Sequence, residues 1–212
     1  MAEPRKITDA LRCLQYNSVY FNISYILAVV ALIYVYLKDK RVGIVVSFIF
    51  AFALCFLPYS VEFLQVARIK VMLIFIASFL LFASLNYVCI QPAVNKILTT
   101  LVRLNFLLLI ITTPNIFINI TLLFLASATP IFTVNDGRVK MESSIIPKNA
   151  WVLLSTVGLI AFYILNPWFC SKLVISIFAV IIPCIAHFFN DTFLETRALS
   201  LFLLIIFDIF NK

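Results

Sequence analysis

Charged residues and glycine are scarce in this 212-residue sequence. Asp, Glu, Lys and Arg together make up 12% of it, Gly occurs three times, and 64% of the residues are hydrophobic. Soluble globular domains have about 25% charged residues, and only about half of their residues are apolar. The composition, with its mean hydropathy of +1.13, therefore excludes a water-soluble protein and predicts a membrane protein. No stretch between the apolar segments is long enough for a catalytic domain outside the bilayer.

Histidine is represented only by His187, and the sequence lacks the common catalytic motifs. A single histidine excludes paired haem ligands and the histidine clusters of membrane di-iron enzymes. There is neither a Gly-rich phosphate loop nor a G-x-S-x-G nucleophile motif. We therefore predict a protein that is not an enzyme and that uses no cofactor or metal. The five cysteines are widely spaced, without a C-x-x-C pair, and we expect free thiols in packing positions.

Long uncharged runs divide the chain into candidate membrane helices. A helix needs about 20 residues to cross a hydrocarbon core of about 30 Å, and runs such as 13–37 and 71–95 reach that length. The run 104–135 holds either one tilted helix or parts of two helices that turn at Pro114 and Asn115. We prefer the turn, because these residue types end and start helices.

We accordingly predict an all-α fold, that of a polytopic integral membrane protein with six to eight transmembrane helices and short loops. It forms a single transmembrane domain behind a short polar N-terminal tail, residues 1–18. The long unbroken runs are unlike the alternating segments of about ten residues that make a β-barrel. The predicted spans lie near residues 19–37, 42–58, 70–90, 96–113, 115–134, 150–167, 171–189 and 194–211.

Positive charge exceeds negative charge, with sixteen Lys and Arg against nine Asp and Glu and a net charge of +7. The basic residues stand in ones, twos and threes at the ends of apolar runs, where anionic lipid headgroups anchor a span. The lipid bilayer is therefore the expected partner, rather than nucleic acid. Both ends of the first span are basic, which favours a hairpin that dips into one leaflet or a weakly oriented pair of helices.

Several polar residues fall inside the predicted spans. Arg103 and Asp208 interrupt apolar segments, and an arginine at the centre of a span costs roughly 2.5–3.5 kcal/mol to insert. The two residues either form a buried pair, as a clamp or as part of an ion or proton path, or lie apart. In the second case Arg103 reaches towards the headgroups and Asp208 belongs to a terminal helix at the interface. Asn105, Asn119 and His187 are the other intramembrane polar candidates.

Two residues near the end of the span at 171–189 have particular consequences. Pro183 deprives the carbonyl one turn earlier of its helical N–H donor, and we expect a nearby polar group or a partner helix to satisfy that carbonyl. Asn190 begins an N-x-[ST] pattern outside the apolar centre of the spans. It is the candidate glycosylation acceptor, provided that its loop is luminal.

The segment that enters the first span resembles a known family motif. Arg12 is followed by four candidate partner-binding residues, Asn17, Tyr20, Phe21 and Tyr25. This pattern resembles the entrance motif of the prenylated Rab acceptor family, and residues 149–192 resemble the second hydrophobic hairpin of that family. Ser24 stands where the family usually has Asn. The resemblance implies a non-enzymatic protein of endoplasmic reticulum or Golgi membranes that binds small GTPases or shapes the membrane.

Three functions remain open from the sequence. The first is endomembrane trafficking or membrane shaping, which we favour because the loops are short and catalytic groups are absent. The second is a small transporter or channel whose path is lined by the intramembrane polar residues. The third is a core subunit of a larger organellar or viral membrane complex, with other membrane-protein subunits as partners.

Overall fold

The computed structural model describes residues 18–56, 64–87, 90–113, 115–135 and 138–210. Within these ranges the chain forms eight α-helices, one short 3-10 helix and one β-hairpin. In chain order they are α1 (Val19–Lys38), α2 (Lys40–Phe56), α3 (Leu64–Asn86), α4 (Gln91–Ile111), α5 (Ile116–Ser127), β1 (Ile131–Asn135), β2 (Arg138–Glu142), α6 (Lys148–Leu165), the 3-10 helix (Pro167–Lys172), α7 (Leu173–Asn190) and α8 (Phe193–Phe210).

Four of these helices are long and apolar enough to cross a membrane, namely α1, α4, α6 and α7. The predicted helical class is confirmed, and the four apolar helices support an integral membrane protein. α5 is apolar but has only 12 residues, and at about 1.5 Å per residue it is shorter than a hydrocarbon core. The six to eight spans therefore remain a prediction.

The prediction that the run 104–135 holds parts of two helices is confirmed by the bounds of α4 and α5, and Pro114 itself lies outside the described residues. α4 ends at Ile111 and α5 begins at Ile116. The side chain of Asn115 accepts hydrogen bonds from the backbone N–H groups of Phe117 and Ile118, at 3.0 and 3.2 Å. Asn115 is thus the N-cap of α5, because its amide oxygen satisfies N–H groups that have no partner within the helix.

The all-α prediction is wrong at residues 131–135 and 138–142, which form the two strands of an antiparallel hairpin between α5 and α6. The strands pair from Ile131 opposite Glu142 to Asn135 opposite Arg138. The span predicted at 115–134 therefore ends as a helix at Ser127. Side chains in the strands alternate between buried and exposed positions, which is the period of a strand and not that of a helix.

Polar side chains of α4 fix the hairpin to the bundle. The Asn95 Oδ1 atom accepts a hydrogen bond from the backbone N–H of Val134 at 2.7 Å, and the Thr99 Oγ1 atom accepts one from that of Phe132 at 3.1 Å. Both strand residues are buried. β2 also contacts Glu195, near the start of α8. The hairpin therefore lies at the end of the bundle where α4 and α8 begin and where α1 ends.

Cysteine chemistry differs from the prediction at one position. Cys184 is free and buried in α7, as expected for a thiol in a packing position. Cys170 in the 3-10 helix is disulfide-bonded, so the prediction that all five cysteines are free is wrong there.

The junction of α1 and α2 depends on Gly43. A Cβ atom at this position would clash with the ring of Tyr36 and would lie 3.0 Å from the Tyr36 Cα atom, so the backbone itself would have to move. We expect Gly43→Ala to lower the free energy of unfolding by about 2 kcal/mol, the usual cost of overpacking. Denaturant titration of the purified protein in detergent measures the loss.

Gly158→Ala provides the matched control for that substitution. A Cβ atom at Gly158 would meet only the side-chain ends of Leu125 and Thr121, both at 3.3 Å. Flexible side-chain ends yield more easily than backbone, so the expected loss is below about 1 kcal/mol. Equal losses for the two variants would contradict the packing at Gly43.

Candidate functional site

Arg103 is exposed on the surface of α4. It therefore cannot be half of the predicted buried pair with Asp208. This position agrees with the alternative in which Arg103 reaches from a helix surface towards the headgroups. The side chain of Asp208 lies outside the described residues.

The other predicted polar residues occupy three different parts of the fold. Asn105 is half-buried on α4 and lines an internal cavity. Asn119 donates from its Nδ2 atom to the backbone carbonyl of Thr113 at 3.2 Å, a local bond at the start of α5. His187 is buried, and its Nε2 atom lies 3.0 Å from the Asn149 Oδ1 atom. The structure therefore does not bring these residues together into one path.

The entrance-motif residues split between surface and core. Tyr20 is exposed, and Phe21 is half-buried with its ring centroid 5.2 Å from that of Phe207. Tyr25 is fully buried and donates a hydrogen bond to the backbone carbonyl of Ser200 at 2.9 Å. Tyr25 is therefore a packing residue and is inaccessible to a partner. Asn17 lies outside the described residues.

Asn190 is the last residue of α7, and its side chain is exposed. Glycosylation at this position remains a prediction. Next to it, Asp191 adopts the left-handed backbone conformation with φ 54° and ends the helix. Its carboxylate lies 2.6 Å from the Lys148 Nζ atom and 3.2 Å from the His187 Nδ1 atom, so charged groups tie the start of α6 to the end of α7.

The buried charges are on α8, at positions that the sequence analysis did not single out. Glu195 and Arg197 are only 7% and 9% exposed. A buried ionised group is expensive unless it has a partner of opposite charge or several hydrogen bonds. These two residues therefore require a specific explanation.

Arg197 binds the carbonyl that Pro183 leaves without its helical donor. Proline has no N–H, so the Ala179 carbonyl one turn earlier lacks its helical bond. The Arg197 Nη1 atom donates to this carbonyl at 2.7 Å, and the Ser200 hydroxyl donates to it at 2.8 Å. The prediction that a neighbouring polar group satisfies the carbonyl near Pro183 is thus confirmed.

The other described neighbours of the Arg197 guanidinium, the hydroxyl groups of Ser200 and Tyr163, are also neutral. The Arg197 Nη2 atom donates to the Tyr163 hydroxyl at 2.9 Å, across from α8 to α6. Among residues with a described side chain, no carboxylate forms an ion pair with Arg197. A guanidinium has five N–H groups, and these contacts leave some of them for another acceptor. Arg197 is therefore a buried cation that retains donors for an anion.

The two oxygens of Glu195 have different surroundings. The Oε1 atom accepts hydrogen bonds from the Tyr36 hydroxyl and from the Val139 backbone N–H, both at 3.0 Å. The Oε2 atom is buried and has no hydrogen-bond partner within the described part of the chain. Burial raises the pKa of Glu195 to about 7, although these hydrogen bonds oppose the shift.

Glu195 and Arg197 both line a cavity of about 110 Å³. Its wall is otherwise mostly apolar and comes from α3, α4, α6 and α8, and Asn105 adds one amide. The apolar part of the lining includes Leu73, Ala77, Leu98, Val102, Phe106 and Trp151. An apolar pocket with a few convergent polar groups is the usual form of a small-molecule site.

One local signal for Glu195 was present in the sequence. Thr192 and Glu195 have the T-x-x-E spacing of a capping box, in which the glutamate turns back to the helix start. Here the Glu195 side chain binds β2 and α1 instead, and the Thr192 Oγ1 atom is buried without a hydrogen-bond partner in the described structure. The capping pattern predicts the start of α8, but only the tertiary fold places Glu195 at a cavity.

Neither a protein-family model, nor a curated protein, nor a solved structure matches the chain in comparisons with known proteins. The resemblance of the entrance motif to the prenylated Rab acceptor family therefore remains a prediction.

Proposed function

We propose that the protein is a small membrane transporter that binds an organic monoanion in the cavity beside Arg197. The observation that supports this function most strongly is Arg197: its buried guanidinium has only neutral partners in the described part of the chain, and the residue is one of those that line an otherwise apolar cavity. An anion would compensate the buried charge, and the apolar wall would accept the remainder of the molecule.

A purely structural role for Arg197 does not require its charge. The carbonyl beside Pro183 already accepts a hydrogen bond from the neutral Ser200 hydroxyl. A buried charge without a partner of opposite charge is costly to the folded protein, so an arginine at this position favours a role in binding.

The trafficking function finds less support in the geometry. Of the entrance-motif residues with a described side chain, Tyr20 is the most exposed, whereas Tyr25 is enclosed by the bundle. Binding of a small GTPase, residence in endoplasmic reticulum or Golgi membranes, and assembly with other subunits remain predictions without a described contact surface.

Flux into proteoliposomes tests the proposal. The probe is 1-butanesulfonate, which is anionic at all practical pH values and so cannot cross the lipid as a neutral acid. We expect uptake above that of protein-free liposomes, and a decrease of about one hundredfold for Arg197→Gln, because removing the partner of a buried charge typically costs 2–5 kcal/mol.

Two further variants separate charge from structure. Arg197→Lys keeps the positive charge and should retain part of the uptake. Arg103→Gln removes an arginine that is exposed on α4 and should leave uptake unchanged. Absence of uptake by the unaltered protein, or equal uptake by Arg197→Gln and Arg103→Gln, would overturn the transporter proposal.

A further inference from the structure

We infer that Glu195 is a second binding residue of this cavity, and that its protonated Oε2 atom donates a hydrogen bond to the bound anion, so that one proton is bound with each monoanion. The inference rests on the proposed function, because it adds a proton to the same site. Its basis is the geometry of the two carboxyl oxygens.

The hydrogen bonds of Glu195 determine which oxygen carries the proton. The Oε1 atom accepts from Tyr36 and Val139 and points towards the hairpin, so a proton on it would displace one of these donors. The Oε2 atom has no partner, and Glu195 lines the cavity. A protonated carboxyl has one O–H donor, and here that donor would be the Oε2 atom.

Charge balance in the cavity also requires that Glu195 is protonated when the anion is bound. A monoanion compensates the single positive charge of Arg197, and an ionised Glu195 two residues away would add an uncompensated negative charge to the apolar cavity. When a monoanion binds to the ionised form, Glu195 therefore takes up one proton from the solution. The filled site then contains the cation, the anion and a neutral carboxyl.

Burial is the main determinant of the pH at which this uptake occurs, and the neighbours of Glu195 modify it. Asp191, from the connection between α7 and α8, raises the pKa of Glu195, whereas the Tyr36 hydroxyl from α1 lowers it. Lys148 lies against Asp191 and partly offsets its charge, and the His187 ring lies 3.2 Å from the same carboxylate. Burial outweighs these contributions, and the resulting pKa of about 7 places the carboxyl between its two forms near neutrality.

The size of the cavity limits the apolar part of the anion. An apolar cavity of about 150 Å³ accommodates a benzene molecule. The present volume of about 110 Å³ is smaller, so it accepts a chain of roughly four or five carbons. The ligand class is therefore a short-chain aliphatic monoanion, and butanesulfonate has the appropriate charge and length.

Isothermal titration calorimetry of the full chain in nanodiscs tests the coupling. Butanesulfonate is titrated in buffers that differ in ionisation enthalpy, which gives the number of protons bound per anion. We expect close to one proton at about pH 8.5 and close to none at about pH 5.5, together with a roughly tenfold rise in Kd between pH 6 and pH 8.

Glu195→Gln is the matched variant. The glutamine keeps an acceptor for Tyr36 and Val139 and places an N–H donor where the Oε2 proton would be. It should bind butanesulfonate without proton uptake at either pH. Uptake that persists in Glu195→Gln, or butanesulfonate binding by the unaltered protein without proton uptake at about pH 8.5, would overturn the inference while leaving the transporter proposal intact. Absence of binding by the unaltered protein would overturn both.

Discussion

Trp151→Ala is expected to lower the free energy of unfolding by about 3–5 kcal/mol, the range for removing a buried large aromatic side chain. Trp151 is 1% exposed, and its Nε1 atom donates to the Leu125 carbonyl at 3.0 Å. Its ring has edge contacts with Phe106, Phe132 and Phe193, with centroids 5.6, 6.4 and 6.0 Å away. One residue of α6 thus joins α4, α5, the hairpin and α8.

The loss should exceed that expected from transferred area alone, because Trp151 is also part of the cavity wall. Its removal enlarges an existing void that the surrounding helices cannot fill by small shifts. Unfolding by denaturant in detergent, followed by far-ultraviolet circular dichroism, measures the change. Leu154→Ala removes a 44% exposed side chain from the same helix and should cost much less. Similar losses for both variants would show that Trp151 does not anchor the core.

The helical architecture could be predicted from the sequence because it depends on local properties. Uncharged runs and helix-capping residues placed α1 within one residue at each end, 19–37 against Val19–Lys38. They also placed the turn after α4 at Pro114 and Asn115. The predicted boundaries differ more at α3, which runs from Leu64 to Asn86 instead of 70–90, because the helix begins in a charged stretch that the uncharged runs leave out and ends before the apolar residues do.

The hairpin was missed because its first strand is as apolar as a helix. Residues 131–135 complete the uncharged run 104–135, so a criterion based on charge assigned them to a span. The period of two along both strands, around the Asp136 and Gly137 pair, was the informative signal. Asp-Gly between alternating segments is among the strongest sequence patterns for a two-residue hairpin turn.

The site was missed for a different reason. Arg103 stood out because it interrupts an apolar segment, whereas Glu195 and Arg197 stand at the start of the predicted span 194–211, where charged residues commonly mark a helix end. Their burial depends on the hairpin and on α1, α6 and α7, which are distant in sequence. The part of the site that sequence could predict was the carbonyl near Pro183, because the missing N–H is a property of proline itself.

Glu195 should also make the stability of the protein depend on pH. Its pKa is raised from 4.5 to about 7 in the folded state, so the folded state binds more protons than the unfolded state between these values. This contribution is fully present below about pH 4.5 and is lost as the pH rises through about 7. A shift of this size corresponds to roughly 3 kcal/mol.

The measurement is the difference in unfolding free energy between the unaltered protein and Glu195→Gln, from denaturant titrations in detergent at several pH values. Other titrating groups cancel in this difference, which should decrease by about 3 kcal/mol between pH 4 and pH 8. Glu142→Gln on β2 removes an exposed carboxylate, and its difference should stay nearly constant. A flat difference for Glu195→Gln would mean that the pKa of Glu195 is the same in the folded and the unfolded state. Proton uptake on anion binding would then begin above about pH 4.5, and the difference in uptake expected between about pH 5.5 and pH 8.5 would disappear.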